Sequence, residues 1–295
     1  MKAAAIIPAR YGSTRLPGKP LIVIKGKPLI QYVYERVRLS SVQQVIVATD
    51  DERIVAAVQG FGGEAVLTST GHRTGTERVA EVAAGIDATL IVNVQGDEPL
   101  INPKDIDGAI APFALDPTLK VATLITPLTG AADLYNPNVV KVVVDFEGFA
   151  LYFSRAPIPY PRYILEKRAE AEAEAEGGSL ASSSLASGPL ANGESHEGVK
   201  LMKRLDEPPV ALTKGSPPAW PKELEGYWQH IGLYAFRRDF LLTVTTLSPT
   251  PLELQERLEQ LRILENGYKI KTVVCSSPSL GIDTPDDIER FKTLI

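Results

Sequence analysis

Near the start of the chain, Pro8-Ala-Arg-Tyr-Gly-Ser-Thr-Arg-Leu-Pro-Gly-Lys-Pro20 sets Arg10, Arg15 and Lys19 among the hydroxyls of Ser13 and Thr14 and the glycines Gly12 and Gly18, with Lys25 shortly after. Glycines let a backbone approach a ligand closely, and free N–H groups beside guanidinium and ammonium groups suit a polyphosphate. A solvated basic loop would show the same cations without that purpose. The apolar run Ala3-Ala-Ala-Ile-Ile7 just before it reads as a strand buried on both faces. The loop therefore falls at the carboxyl end of a first strand, where open α/β sheets bind ligands.

A second stretch, Val92-Asn-Val-Gln95-Gly96-Asp97-Glu98-Pro99, ends an apolar strand in a polar turn. Asp97 there would face the cationic loop, and Mg²⁺ usually takes one or two carboxylates together with phosphate oxygens and water. The same residue equally suits a turn or a helix cap. Asp283, in Leu280-Gly-Ile-Asp283-Thr284-Pro285, ends another apolar stretch before a helix, as a second metal carboxylate or as a plain N-terminal cap. The polar entry His72-Arg73-Thr74-Gly75-Thr76-Glu77-Arg78 aims N–H groups and two guanidiniums one way. Capping accounts for Thr74 and Glu77 there, but not for Arg73 and Arg78. His230 lies on an apolar strand, where a satisfied core histidine is the ordinary reading. No Gly-x-x-x-x-Gly-Lys-Ser/Thr occurs, and no Gly-x-Gly-x-x-Gly follows the first strand.

These residues need a sheet to hold them. Strand patterns fall at 2–7, 44–49, 64–68, 89–94, 120–125 and 139–144, with helical patterns over 28–39, 51–61, 76–84 and 103–115 between them. In 51–61 the side chains of Ile54, Val55, Val58 and Phe61 share one face, with Asp50 as cap and Gly62-Gly63 as stop. Repeated β-α units with apolar strands predict a mostly parallel sheet covered by helices on both faces. Later, 226–236 reads as a strand and 251–265 as one helix. Leu254, Leu258, Leu261 and Leu264 form its stripe, and Glu256 and Gln260 project from roughly the opposite side. A strand at 269–274 and a closing helix over 285–294, begun by Thr284, complete the pattern.

With 295 residues, 44% of them hydrophobic, the chain can bury a full core, and a net charge of −5 argues against a general nucleic-acid or anionic-membrane binder. One cysteine, Cys275, precludes an intrachain disulfide, and three histidines leave no Cys/His metal cluster. That usage fits a reducing compartment, and no signal peptide or run of about 18 apolar residues occurs. A cytoplasmic protein with neither nucleic acid nor membrane as partner is expected. Near residue 160 the composition changes: 166–176 alternates Glu and Ala, a Ser/Ala/Leu/Gly stretch follows, and Phe, Tyr and Trp are missing from 165 to 219. Such a segment cannot bury enough surface to offset its ordering entropy. One domain over 1–295 is therefore expected, interrupted at about 163–226 by a loose low-complexity insertion whose closure cost grows only slowly with length.

Taken in order, the stretches 7–21, 46–50, 75–78, 92–99, 136–143, 151–156, 230–234, 258–262 and 281–285 resemble the nucleotidyltransferases that make activated sugars, and within them the cytidylyltransferases acting on 3-deoxy-manno-octulosonate (Kdo). The likeness reaches both ends of the chain and skips only about 160–226. It implies a Rossmann-like three-layer α/β fold of the nucleotide-diphospho-sugar transferase type. It further implies the reaction CTP + Kdo → CMP-Kdo + pyrophosphate, with Mg²⁺, in lipopolysaccharide precursor synthesis by a homodimer. By this resemblance Arg10, Ser13 and Lys19 hold the triphosphate with Arg15 nearby, while Ala9, Arg73, Thr74 and Gln95 surround the cytosine and ribose. Asp97 and Asp283 match metal ligands, and Lys19, Arg10 and Asp97 would carry the catalytic charge compensation. Arg78, Arg155, His230, Tyr234, Glu256 and Gln260 would grip the sugar acid. The chemistry requires Asp97 and Asp283 to lie close enough to share one ion. A sister enzyme taking sialic acid or 8-amino-Kdo would carry similar motifs, whereas a non-catalytic nucleotide-binding regulator would be expected to lack the metal carboxylates.

Overall fold

The computed structural model describes residues 1–12, 16–162, 164, 224–275 and 281–295. Ser13 and Arg15, and nearly all of the expected insertion at about 163–226, lie outside the described residues.

Strand β1 (Ala3–Ala9) alternates between two cores: Ala3, Ala5, Ile7 and Ala9 enter one, and Ala4 and Ile6 the other. A strand apolar on both faces has to be covered on both. After a hairpin of β2 (Val23–Ile24) and β3 (Lys27–Pro28), helix α1 (Leu29–Val37) lays Ile30, Val33 and Val37 on the first face. Strand β4 (Gln44–Thr49) follows, then α2 (Glu52–Gly60), which buries Ile54 and Val58 on that same face. Its cap is Asp51, which accepts the N–H of Arg53, and not Asp50 as the sequence pattern suggested. Asp50 instead pairs with Arg78 at 2.7 Å, an ion pair reached across the sheet edge.

Strand β5 (Glu64–Leu67) leads to α3 (Gly75–Ala84), capped by Thr74, which covers the second face with Val79, Ala80, Val82 and Ala83. Strand β6 (Leu90–Asn93) precedes α4 (Pro103–Ile110) and α5 (Pro112–Leu115). The pattern at 103–115 suggested one helix, but Pro112 has no N–H and its ring crowds the preceding turn, so the helix restarts there. Strand β7 (Val121–Pro127), helix α6 (Ala131–Tyr135) and the hairpin of β8 (Lys141–Val144) and β9 (Ala150–Ser154) come next. After these stand β10 (Trp228–Arg237), α7 (Arg238–Val244), α8 (Pro251–Glu256), α9 (Leu261–Glu265), β11 (Lys271–Val274) and α10 (Pro285–Leu294).

The expected single helix over 251–265 is thus two. Arg257 takes φ 54°, ψ 47°, a left-handed conformation that ends α8 and resets the helical phase before α9. Leu254 consequently leaves the stripe and is 64% exposed, while Leu258 and Leu261 stay buried.

The main sheet runs β11-β7-β10-β6-β1-β4-β5. Pairs β1–β4, β1–β6, β4–β5 and β7–β11 are parallel, whereas β10 enters antiparallel between β6 and β7. The largely parallel sheet with helices on both faces is the expected architecture, and the carboxyl ends of β1 and β6 lie side by side in it. Helix α10 packs away from this sheet, on the hairpin β2–β3: Phe291 and Ile282 join Ile24 and Leu29 in a cluster of fully buried side chains. The Phe291 ring meets Tyr32 edge-on at 5.2 Å.

Candidate active site

A cavity of about 310 Å³ opens at the carboxyl ends of β1 and β6. Its wall combines the end of β1 (Pro8, Ala9, Arg10) with the loop after β6 (Gln95, Gly96, Asp97). The entry to α3 supplies Arg73, Thr74 and Gly75, and Lys19 and Asp283 close the far side. The described members of the expected nucleotide and metal sets therefore share one wall. Close backbone approach builds it. A Cβ at Gly96 would stand 2.8 Å from the Pro8 carbonyl oxygen, and one at Gly75 3.3 Å from the Pro8 ring. Gly18, at φ 69°, donates its N–H to the Tyr11 carbonyl and so turns the chain to bring Lys19 back under the strand ends. Thr74 Oγ1 accepts the Glu77 N–H, and the Glu77 carboxylate accepts the Arg73 N–H, so the capping reading of those two residues holds while the helix start still faces the cavity.

Lys19 Nζ is the centre of the cavity's charge. It donates to Asp97 Oδ2 at 2.6 Å, to the Ile282 carbonyl at 2.9 Å and to Asp283 Oδ1 at 3.1 Å. The two carboxylates, far apart in sequence, thus lie no farther from each other than those two contacts allow. Backbone pairing explains the meeting: the Ile282 N–H donates to the Asp97 carbonyl at 2.9 Å, while the buried Ile282 and Phe291 side chains anchor the segment from behind. Asp283 is not the cap of α10. That role falls to Thr284 in a capping box with Asp287, whose carboxylate also accepts the Asp283 N–H. Nor does Asp97 cap α4, which Asn102 does. Two carboxylates beside a carbonyl oxygen form a hard-oxygen donor set that fits a divalent ion of the Mg²⁺ type, with phosphate oxygens and water completing its shell. Among the described residues no group of three or more His, Cys, Asp or Glu side chains gathers that could hold a metal ion by itself.

A second cavity, of about 390 Å³, adjoins the first across Gln95, which lines both and donates to the Gly232 carbonyl at 3.0 Å. One face of β10 lines it: His230, Gly232, Tyr234 and Phe236, at the two-residue repeat of a strand. Opposite stand Glu259 and Gln260 from the turn before α9, with Asn93 at the floor. His230 lies between the rings of Phe153 and Tyr234 and meets Thr123 Oγ1 at 2.9 Å. Burial pushes its pKa down to about 3, so the imidazole is neutral at physiological pH. Burial likewise raises the Tyr234 phenol, with Glu259 nearby adding to the effect, and raises the Glu259 carboxyl against the opposing bond from Thr76 Oγ1 at 2.7 Å. Two buried amide atoms, Asn93 Oδ1 and Gln260 Nε2, have no hydrogen-bond partner among the described residues. Unsatisfied buried polar atoms are costly, and at a cavity wall they point to a polar ligand.

Three of the residues that the resemblance assigns to the sugar, Arg78, Arg155 and Glu256, do not line the second cavity. Arg78 lines the first cavity, its guanidinium held by Asp50, Thr68 Oγ1 and the Ser69 carbonyl. Glu256 and Arg155 face each other at the end of β9 and line neither cavity. The Glu256 carboxylate accepts from Ser154 Oγ at 2.6 Å and from the Arg155 N–H at 3.0 Å. Glu259, and not the Glu256 that the resemblance put at the sugar, lines the wall of the second cavity. The 258–262 stretch contained it, but the phase break at Arg257 hid which acidic residue faces inward. Asn93 and Glu259 carried no signal apart from their place in motifs whose neighbours drew the attention.

Comparison with known proteins agrees with this geometry. The family model for cytidylyltransferases matches residues 4–270. A 3-deoxy-manno-octulosonate cytidylyltransferase from Geotalea daltonii is 48% identical over 291 residues, spanning 98% of this chain and 96% of its own. One of the same name from Syntrophotalea carbinolica is 46% identical over 293 residues, spanning 99% and 98%. Among solved structures, a CMP:2-keto-3-deoxy-manno-octonic acid synthetase complexed with CTP superposes with a TM-score of 0.76 at 38% identity, covering 100% of this chain and 98% of the other. By sequence along its length and by the fold that sets its strand ends around one cavity, the chain belongs to the family of the 3-deoxy-manno-octulosonate cytidylyltransferases.

Proposed function

We propose that the chain joins CTP and Kdo into CMP-Kdo with release of pyrophosphate, activating Kdo for lipopolysaccharide synthesis. It does so in the cytoplasm, as a homodimer with one cytidylyltransferase domain per chain. Among the described residues no helix is long and apolar enough to cross a membrane. The carrying observation is the convergence of Lys19, Asp97 and Asp283 in a cavity that meets, at Gln95, a second one bearing unsatisfied buried amides.

In the reaction the anomeric hydroxyl attacks the α-phosphorus in line and pyrophosphate departs, so the protein need form no covalent bond and acts by positioning and charge. Arg10, whose guanidinium has no partner among the described residues, takes triphosphate oxygens, with Ser13 and Arg15 completing that grip. Lys19 offsets the charge that builds on the leaving pyrophosphate. Ala9, Arg73, Thr74 and Gln95 hold the nucleoside, and Arg78 backs that side through Asp50. Asp97 and Asp283 would hold Mg²⁺, which when bound neutralises α-phosphate charge and acidifies the sugar hydroxyl. His230, Tyr234 and Gln260, joined by Glu259 and Asn93, hold the sugar acid. Pyrophosphate release from CTP and Mg²⁺ should occur with Kdo and be much slower with sialic acid, with 8-amino-Kdo run alongside. Release with sialic acid but not with Kdo would overturn the assignment.

A further inference from the structure

We infer that Arg257 reads the carboxylate of the sugar acid at the mouth of the second cavity and so sets the preference for an acidic sugar. The inference deepens the proposed function and rests on it.

An acid substrate needs a cation, and the cavity offers one. Among its described lining residues Arg257 is the sole Lys or Arg, and the neutral His230 supplies no charge. The neighbouring guanidiniums are committed elsewhere. Arg262 is buried, with Nε and Nη2 on the two carboxylate oxygens of Glu253 at 2.7 and 2.5 Å and Nη1 on the Leu247 carbonyl at 3.1 Å. Arg155 spends its donors on three carbonyls: Nε on Glu256 at 2.8 Å, Nη1 on Pro137 at 2.8 Å and Nη2 on Arg257 at 3.4 Å. The guanidinium of Arg257 is exposed and has no hydrogen-bond or ion-pair partner among the described residues.

The backbone at this position is unusual for what it carries. Arg257 is one of two non-glycine residues described with positive φ, the other being Lys25. A glycine would adopt φ 54° without steric cost, whereas arginine does not. The turn is nevertheless rigid. Glu256 is bonded through its carboxylate and its backbone to Ser154 and Arg155, and the Arg257 carbonyl accepts from Arg155. Arg155 and Glu256 are therefore positioning residues that hold the turn presenting Arg257 to the cavity. A planar guanidinium takes a carboxylate through paired N–H···O bonds, which an ammonium cannot reproduce. It would also offset the Glu259 carboxyl two residues along the same wall, which would otherwise repel an anionic substrate.

The test compares Kdo with its C1 carboxamide in the full-length enzyme, measuring kcat and KM for each in the presence of CTP. For Arg257→Gln, kcat/KM with Kdo should fall about 30- to 100-fold, chiefly through KM, while the carboxamide and the KM for CTP change little. The preference of the wild type for acid over amide should collapse accordingly. Arg257→Gly should show the same loss with a raised melting temperature, because glycine relieves the left-handed strain, and Arg257→Lys should recover part of it. An unchanged acid-to-amide ratio in Arg257→Gln, or an equal loss with both substrates, overturns the assignment of Arg257 and leaves the proposed reaction standing. A wild type that releases no pyrophosphate from CTP and Kdo overturns the reaction itself, and the inference with it.

Discussion

Asp97→Asn separates the chemistry of the first cavity from its architecture. Lys19 Nζ has three acceptors, at 2.6, 2.9 and 3.1 Å, and only the first loses its charge in this variant. The asparagine oxygen still accepts a hydrogen bond, and the Asp97 backbone stays tied to Ile282. The lysine and aspartate side chains are 15% and 30% exposed, so the fold should lose roughly 1 kcal/mol or less, a fall in Tm of under about 4 °C. The reaction is hit harder. One of the two negative ligands that would fix the ion against the α-phosphate becomes neutral, and removing one preorganised electrostatic partner typically costs about 3–4 kcal/mol of transition-state stabilisation. At 1.36 kcal/mol per decade, kcat should fall on the order of 10²–10³-fold. The assay is pyrophosphate release at saturating CTP and Kdo, paired with calorimetric CTP binding, which should persist, and with thermal denaturation. A kcat within tenfold of wild type would remove Asp97 from the mechanism. A melting temperature that drops as sharply as the activity would show a structural role instead.

Three further expectations follow from the same contacts. Phe291→Ala empties a fully buried site worth about 3–5 kcal/mol and loosens the anchor behind Asp283, so it should weaken the apparent Mg²⁺ affinity in titrations run below the variant's melting temperature; unchanged Mg²⁺ dependence would refute the anchoring role. Gly96→Ala sets a Cβ 2.8 Å from the Pro8 carbonyl oxygen and must displace the Asp97 loop, lowering kcat more than tenfold, whereas Gly60→Ala at the end of α2, whose Cβ would meet nothing within 4 Å among the described residues, should stay within roughly twofold. His230 has a folded pKa of about 3 against 6.5 for the ordinary group, so the unfolded chain binds the extra proton between those values. Its stabilising effect is complete above pH 6.5 and is lost as pH falls toward 3, by at most about 1.4 kcal/mol per pH unit. Thermal denaturation of His230→Gln from pH 7 to 4 should show a shallower loss than wild type, and an identical slope would contradict the neutral imidazole.

Much of the scaffold was readable because burial on both faces writes itself into residue type. Ala3 to Ile7 and Val45 to Ala48 are apolar throughout, as strands covered on both sides must be, and Ile54 and Val58 sit at helical spacing. What failed did so at points where a backbone dihedral or a distant partner decides. Asp50 looked like a cap until Arg78 claimed it, and the helix over 251–265 broke at an arginine whose left-handed backbone no pattern announces.

The division has a physical basis. From the chain alone follow the alternating strands and helices, the cationic loop at a strand end, and the family to which the motifs belong. These depend on local periodicity and on short contiguous stretches. Only the tertiary structure decided that Asp97 and Asp283 meet at Lys19, and that Glu259, Asn93 and Arg257 face the second cavity while Arg155 and Glu256 hold its edge. Each of those outcomes is set by contacts between residues distant in sequence and by the phase of a single turn, neither of which is encoded in the residue types nearby.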